Sequence, residues 1–181
     1  FVDETGEMFG EEYTLVSCAD YVLTHSPGNT VSNLSSTKAL ADVTKSKGGM
    51  YFTSAVGESN VVEIMKAENA VIGGEGNGGV IYPELHYGRD ALVGIALFLS
   101  SLVEKEIKVS ALKASYPIYA MSKAKVLLSS DMDVDELFKK IKNQYKDKKP
   151  ITIDGVKIEF ETSWVHLRKS NTEPIIRVYT E

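Results

Sequence analysis

The stretch from Thr30 to Gly76 constrains the fold most. Short apolar, β-branched runs alternate in it with runs of helical spacing. TVSNL is followed by a helical run through Lys38, Leu40 and Val43, which Ser35 or Ser36 can cap and Gly48-Gly49 ends. MYFTSAV, ESNVVEIMKAEN and AVIGGEG then read as strand, helix and strand. Strand, helix, strand, helix, strand with short connections predicts βαβ units and a mostly parallel sheet. Upstream, EEYTLVSCADYVLTH has apolar residues at helical spacing behind two acids and stops at Pro27-Gly28, which predicts another helix. A long helix from about Arg89 to Lys105 is expected to cover one face of the sheet. The opening FVDETGEMFG reads as a strand end, a Glu4-Thr5-Gly6 turn and a second short strand.

The texture changes after Ile107, where the register breaks until Pro117. IYAMSKAKVLL alternates in part like a strand, and Asp131 or Asp133 starts an amphipathic helix through Leu137, Ile141 and Tyr145. Asp154-Gly155 between ITI and VKIEF is a strong hairpin signal. WVHLR and IIRVYT complete what reads as an antiparallel sheet. The expected architecture is an α/β domain over residues 11–112 and a smaller α+β domain over 113–181, with a boundary near residues 112 to 116.

Composition narrows the function. With 25 acidic and 20 basic residues the chain carries a net charge of −5, which argues against a nucleic-acid partner. The lysine run from Lys139 to Lys149 reads as a solvated helix face. Cys18 is the sole cysteine, so no intrachain disulfide forms, which fits a reducing, cytoplasmic setting. Its neighbours Leu15, Val16, Ala19 and Val22 point to a buried structural thiol. The most apolar run, Ala91 to Val103, is too short to cross a bilayer and reads as a core helix, so no membrane role is expected. The chain opens at Phe1 with neither methionine nor a signal peptide and reads as an excised piece or a processed product.

Three loops can carry chemistry. In RKSNTEP (168–174), Arg168 offers a planar fork for phosphate, Ser170 and Thr172 add neutral donors, and Asn171 tolerates a left-handed backbone. Successive amides can then converge on an anion as a nest. The same residues read equally well as a polar hairpin loop with an incidental arginine. In GGEGNGG (73–79), Glu75 accepts and Asn77 both donates and accepts hydrogen bonds, a pair suited to vicinal sugar hydroxyls rather than to phosphate. The loop lies where ligands of open α/β sheets bind, yet a tight structural turn explains it as readily. Its glycine spacing does not fit a dinucleotide fingerprint. In YGRD (87–90), Asp90 suits a helix cap with Arg89 paired locally, while Arg89 can also reach a ligand phosphate. His25, His86 and His166 share no metal-ligand spacing, and His86 is the one nearest the glycine loop. Nothing in these residues supplies a catalytic nucleophile.

GEGNGG followed by VIYPELHYGRDA, and RKSNTEP followed by IIRVY, resemble in order and spacing the sugar- and phosphate-binding loops of the α-D-phosphohexomutase family, most like its phosphoglucosamine mutase branch. The resemblance runs from the VDETGE-like start to the last strand. It implies the carboxyl-terminal half of a four-domain mutase, domains 3 and 4, with residues 1–10 the tail of a preceding metal-loop domain. The phosphoserine and the aspartates that hold Mg2+ would lie in domains 1 and 2 of the same protein, so this piece would hold no metal, carry no catalytic residue and be inactive alone. By resemblance Glu75 and Asn77 hold sugar hydroxyls, and Arg168, Ser170, Asn171 and Thr172 hold the phosphate that is not reacting. Arg89, His86 and Arg177 are further candidates, Arg177 with the reservation that it can lie on the far face of its strand. Many relatives carry serine at the position of Asn77 and histidine at that of Gly79. The implied partner is a phosphorylated hexose or hexosamine; phosphomannomutase and phosphoglucomutase activities are the close alternatives, and a stand-alone phosphosugar-binding module is the rival from another class.

Overall fold

The computed structural model describes residues 1–129, 133–170 and 172–181, which divide into two compact units, Phe1–Tyr119 and Ala120–Glu181. The first unit is built on four strands, β1 (Asn29–Asn33), β2 (Tyr51–Ser54), β3 (Ala70–Glu75) and β4 (Gly79–Ile81), in the order β2-β1-β3-β4. β1 runs parallel to β2 and β3, with Val31 opposite Phe52 and Gly73, and β4 returns antiparallel to β3. As a central strand β1 is buried at Thr30, Val31, Ser32 and Asn33, so it cannot show the alternation of a half-exposed strand.

Helices α1 (Glu11–His25), α2 (Ala39–Ser46), α3 (Glu58–Ala67), α4 (Ala91–Lys105) and α5 (Val109–Ala114) surround this sheet. Two separate apolar clusters result. One joins Leu15, Val16, Val22 and Leu23 of α1 to Leu40 and Val43 of α2, Ile72, Val80 and Phe98. The other joins Val61 and Met65 of α3 to Val31, Ala70 and Ile81. Cys18 is fully buried in the first cluster, its thiol pushed up to about 12 by burial, as suits a structural residue.

Several expectations shift. Ser36 does not serve as the α2 cap: its Oγ donates back to Asn33 Oδ1, and Thr37 Oγ1 accepts from the Ala39 amide at the helix start. α4 begins after Asp90, which caps it by accepting from the Leu92 and Val93 amides at 2.8 and 3.0 Å. Only Gly94, Phe98 and Ser101 of α4 are buried, while Leu92, Ile95, Leu99 and Val103 face outward. The helix therefore packs by one side instead of lying in the core.

The boundary falls later than residues 112 to 116. Leu112 and Tyr116 are buried in the first unit, the Tyr116 phenol donates to Asp20 Oδ2 at 3.1 Å, and the Tyr119 phenol donates to Asp42 at 2.6 Å. Asp20 also pairs with Lys47 at 3.2 Å and with Lys105. Burial pulls the Asp20 carboxyl upward, but Lys105 and then Lys47 outweigh it and hold the group below the usual carboxylate range. Residues 1–10 likewise pack on the first unit: Phe9 is fully buried, Phe1 stacks on Phe98, and Val2 bridges Met8 across the Gly6 turn.

In the second unit β5 (Ser122–Leu127), β6 (Val156–Glu159), β7 (Trp164–Lys169) and β8 (Ile175–Thr180) form an antiparallel sheet in the order β5-β8-β7-β6. Helix α6 (Val134–Gln144) is capped by Asp133, whose carboxylate accepts from the amides of Asp135 and Glu136; Asp131 lies outside the described residues. The expected Asp154-Gly155 hairpin is reduced to one bridge, Ile151 with Lys157. Gly155 has φ +68°, and a Cβ there would sit 2.1 Å from the Leu167 carbonyl oxygen, so β7 passes too close for any other residue. Trp164 is 1% exposed, donates to Glu181 Oε2 at 3.0 Å and lies 4.5 Å beneath the buried Lys157 ammonium. The chain is thus an α/β unit with a mostly parallel sheet followed by a smaller α+β unit with an antiparallel one. No helix among the described residues is long and apolar enough to cross a membrane.

Candidate functional site

The glycine-rich segment is the turn between β3 and β4, pairing Gly73 with Ile81, Gly74 with Val80 and Glu75 with Gly79. Glu75 ends β3 with its side chain buried. Oε1 accepts from Asn33 Nδ2 at 3.1 Å and from the Gly57 amide at 3.2 Å, while Oε2 pairs with Arg89 Nη1 at 3.1 Å. Asn33 ends β1 and Gly57 precedes α3, so the carboxylate sits at the carboxyl ends of the parallel strands, where α/β sheets bind ligands.

Arg89 is not paired with its neighbour Asp90. Its Nε donates to Glu58 Oε2 at 2.7 Å and its amide to Glu58 Oε1 at 3.2 Å. The Arg89 side chain and then its amide hold the Glu58 carboxyl below its ordinary range, and Glu58 in turn raises the guanidinium. Asn77, an exposed residue, accepts at Oδ1 from the Gly79 amide at 3.1 Å, which closes the turn. His86 faces Asp90 Oδ2 at 3.0 Å and makes no hydrogen bond to Glu75 or Asn77. A groove of about 450 Å3, lined by Glu58, Asn77, Gly78, Gly79, Arg89 and Asp90, opens beside the turn. Its size falls within the range of small-molecule sites, ~300–1,000 Å3.

The second cluster lies where β7 turns into β8. Arg168 is only 13% exposed, and its Nε donates to Asp154 Oδ2 at 3.1 Å. Arg177 stands directly opposite Arg168 in the β7–β8 register, which puts both side chains on one face and removes the far-face reservation. It pairs with Glu173 at 2.8 Å. Ser170 is buried, and its amide donates to the Ile175 carbonyl at 3.0 Å; the Thr172 amide points to Ser170 Oγ at 3.4 Å. These two amides are therefore engaged within the loop, contrary to an open nest. Asn171 lies outside the described residues.

Pattern reading missed Asn33 and Glu58, which frame Glu75 and Arg89, and Asp154, which was read only as a turn residue. Asn33 could have been found, since it closes a parallel strand; Glu58 and Asp154 act through tertiary approach and leave no local signal. Among the described residues no group of three or more His, Cys, Asp or Glu side chains is placed to hold a metal ion.

A family model described as phosphoglucomutase/phosphomannomutase, alpha/beta/alpha domain III, matches residues 10–119, and one for the C-terminal domain of that family matches residues 121–181. The chain belongs to the phosphoglucomutase/phosphomannomutase family. It is 34% identical over its whole length to a phosphoglucomutase/phosphomannomutase of Thermococcus kodakarensis, covering 40% of that protein. It is 41% identical over 70% of its length to a phosphoglucosamine/phosphogalactosamine mutase of Sulfurisphaera tokodaii, covering 28% of it. A family crystal structure from Burkholderia thailandensis matches 99% of this chain and 39% of its own at a TM-score of 0.81 and 24% identity, which shows the fold. The chain spans about two fifths of full-length relatives such as the first of these.

Proposed function

We propose that this family member forms the sugar- and phosphate-binding part of a phosphohexomutase that interconverts hexosamine or hexose 6-phosphate and 1-phosphate, with glucosamine phosphate as its substrate. In this reading a phosphoserine outside this chain gives its phosphoryl group to the free hydroxyl of the sugar monophosphate. The resulting 1,6-bisphosphate turns around and returns its other phosphoryl group to the serine. Arg168, Ser170, Asn171, Thr172 and Arg177 hold the phosphate that is not reacting, whichever end of the sugar bears it. Glu75 and Asn77 hold two hydroxyls, and the chain itself supplies no nucleophile and is inactive alone. Magnesium would serve the phosphoryl transfer from a site outside this chain.

The observation that carries the reading is the separation of chemistry. One cluster gathers the carboxylates of Glu58, Glu75 and Asp90 around the guanidinium of Arg89 beside the Asn77 amide, the other sets two guanidiniums on one sheet face with one carboxylate each, a balance that suits a sugar and a phosphate respectively. Phosphomannomutase or phosphoglucomutase activity is the second reading, favoured by the name of the Thermococcus kodakarensis relative.

The test is calorimetric, on the full-length protein. Arg168→Ala weakens both sugar phosphate and inorganic phosphate by roughly 1.5–3 kcal/mol, the scale of a charged hydrogen-bonded contact. Glu75→Ala weakens sugar phosphate alone. Unchanged affinity in the first, or equal losses for both ligands in the second, sinks the reading.

A further inference from the structure

We infer that Arg89 is the positioning residue for Glu75 and that position 79 is glycine to let Arg89 lie across the turn, an inference that rests on the sugar-binding reading of Glu75. The two oxygens of Glu75 are held differently. Oε1 accepts from Asn33 Nδ2 at the end of β1 and from the Gly57 N–H at the start of α3, whereas Oε2 is paired with Arg89, a side chain 44% exposed at the groove. Arg89 is itself aimed by Glu58, which takes both its Nε–H and its backbone N–H. A guanidinium can span two carboxylates in this way because its donors sit in a rigid planar fork.

Gly79 supplies the room. It is absent from the glycines of positive φ, so its backbone would accept other residues. A Cβ built on it would fall 2.5 Å from Arg89 Cδ and 3.2 Å from Arg89 Cγ, so any side chain at 79 pushes the arginine off its path and off Glu75. The glycine is required by a neighbouring side chain and not by its own conformation.

The assembly also fixes what the groove accepts. Glu58, Arg89 and Glu75 together carry one net negative charge, and Asp90 adds a second carboxylate to the lining. Such a surface accepts hydrogen bonds from neutral hydroxyls and repels phosphate, so this groove takes the sugar ring and leaves the anion to Arg168 and Arg177.

The experiment is a double-mutant cycle on the full-length enzyme with glucosamine 6-phosphate. Gly79→Ala and Arg89→Ala each lower kcat/KM by about 10-fold or more, the order expected when a binding group is displaced by an ångström. The double variant is no worse than Arg89→Ala, because the added methyl then meets no arginine stem. Arg89→Lys stays impaired, since one ammonium cannot bridge Glu58 and Glu75, and inhibition by inorganic phosphate is unchanged throughout. Gly79→Ala is the mildest change and keeps the test open if Arg89→Ala fails to fold. A harmless Gly79→Ala, or losses that simply add, overturns the positioning role. If Glu75→Ala itself leaves kcat/KM intact, it is the sugar-binding reading that falls, and this inference with it.

Discussion

His166 is fully buried on β7, with Nε2 2.7 Å from the Asp154 carbonyl oxygen. Burial depresses its pKa below the ordinary value of 6.5 and outweighs the opposing effect of the Asp154 carbonyl. The unfolded chain therefore takes up the proton first, so the stability His166 contributes is complete above about pH 6.5 and is lost as pH falls through the lower folded value. Urea midpoints are expected to fall between pH 7.5 and 5.5, and His166→Gln to flatten that slope; an equal slope in the variant overturns the assignment. At this scale the sequence was legible where one residue type does one job. Asp90 announces its cap by its chemistry and neighbours, while Glu75 and Arg168 stand out in the sequence as an acceptor and a guanidinium fork, the roles proposed for them. Asn33, Glu58 and Asp154 do not, since each works by reaching a residue 14 or more positions away.

Among the elements, the close approach of Gly155 to β7 gives the sharpest expectation. Gly155→Ala would place a methyl against the Leu167 carbonyl and 2.8 Å from Arg168 Cα. A loss of about 2 kcal/mol or more in unfolding free energy follows from the positive φ and the clash together. If Arg168 holds phosphate as proposed, phosphate affinity falls with it, because the displaced strand carries that residue. A variant as stable as the parent refutes this account. The βαβ core was readable because its strands are short apolar runs between well-stopped helices. α5 was not: it has six residues and no side-chain cap, and β4 has only three residues and begins at a glycine. α4 misled for the opposite reason, since an apolar outer stripe on an exposed helix looks in sequence like a core helix.

For the whole protein, the sugar contacts proposed for this chain would set a limit on selectivity. Glucose, mannose and glucosamine differ at C2, whereas Glu75 and Asn77 in the proposed pose hold the hydroxyls these sugars share. In a full-length assay with magnesium, Glu75→Ala is expected to lower kcat/KM for all three 6-phosphates by a similar factor, while the parent enzyme prefers glucosamine 6-phosphate. A loss confined to one sugar would place C2 recognition here after all.

The buried indole described on β7 has an optical consequence. Trp164 is the sole tryptophan of the chain, enclosed beneath Lys157 and bonded to Glu181, and it lies in the second unit. Its emission is thus a lamp in one unit only. Unfolding followed at 295 nm excitation, roughly selective for indole, reports the second unit, while far-ultraviolet dichroism reports both; coincident curves would mean that the two melt as one cooperative body.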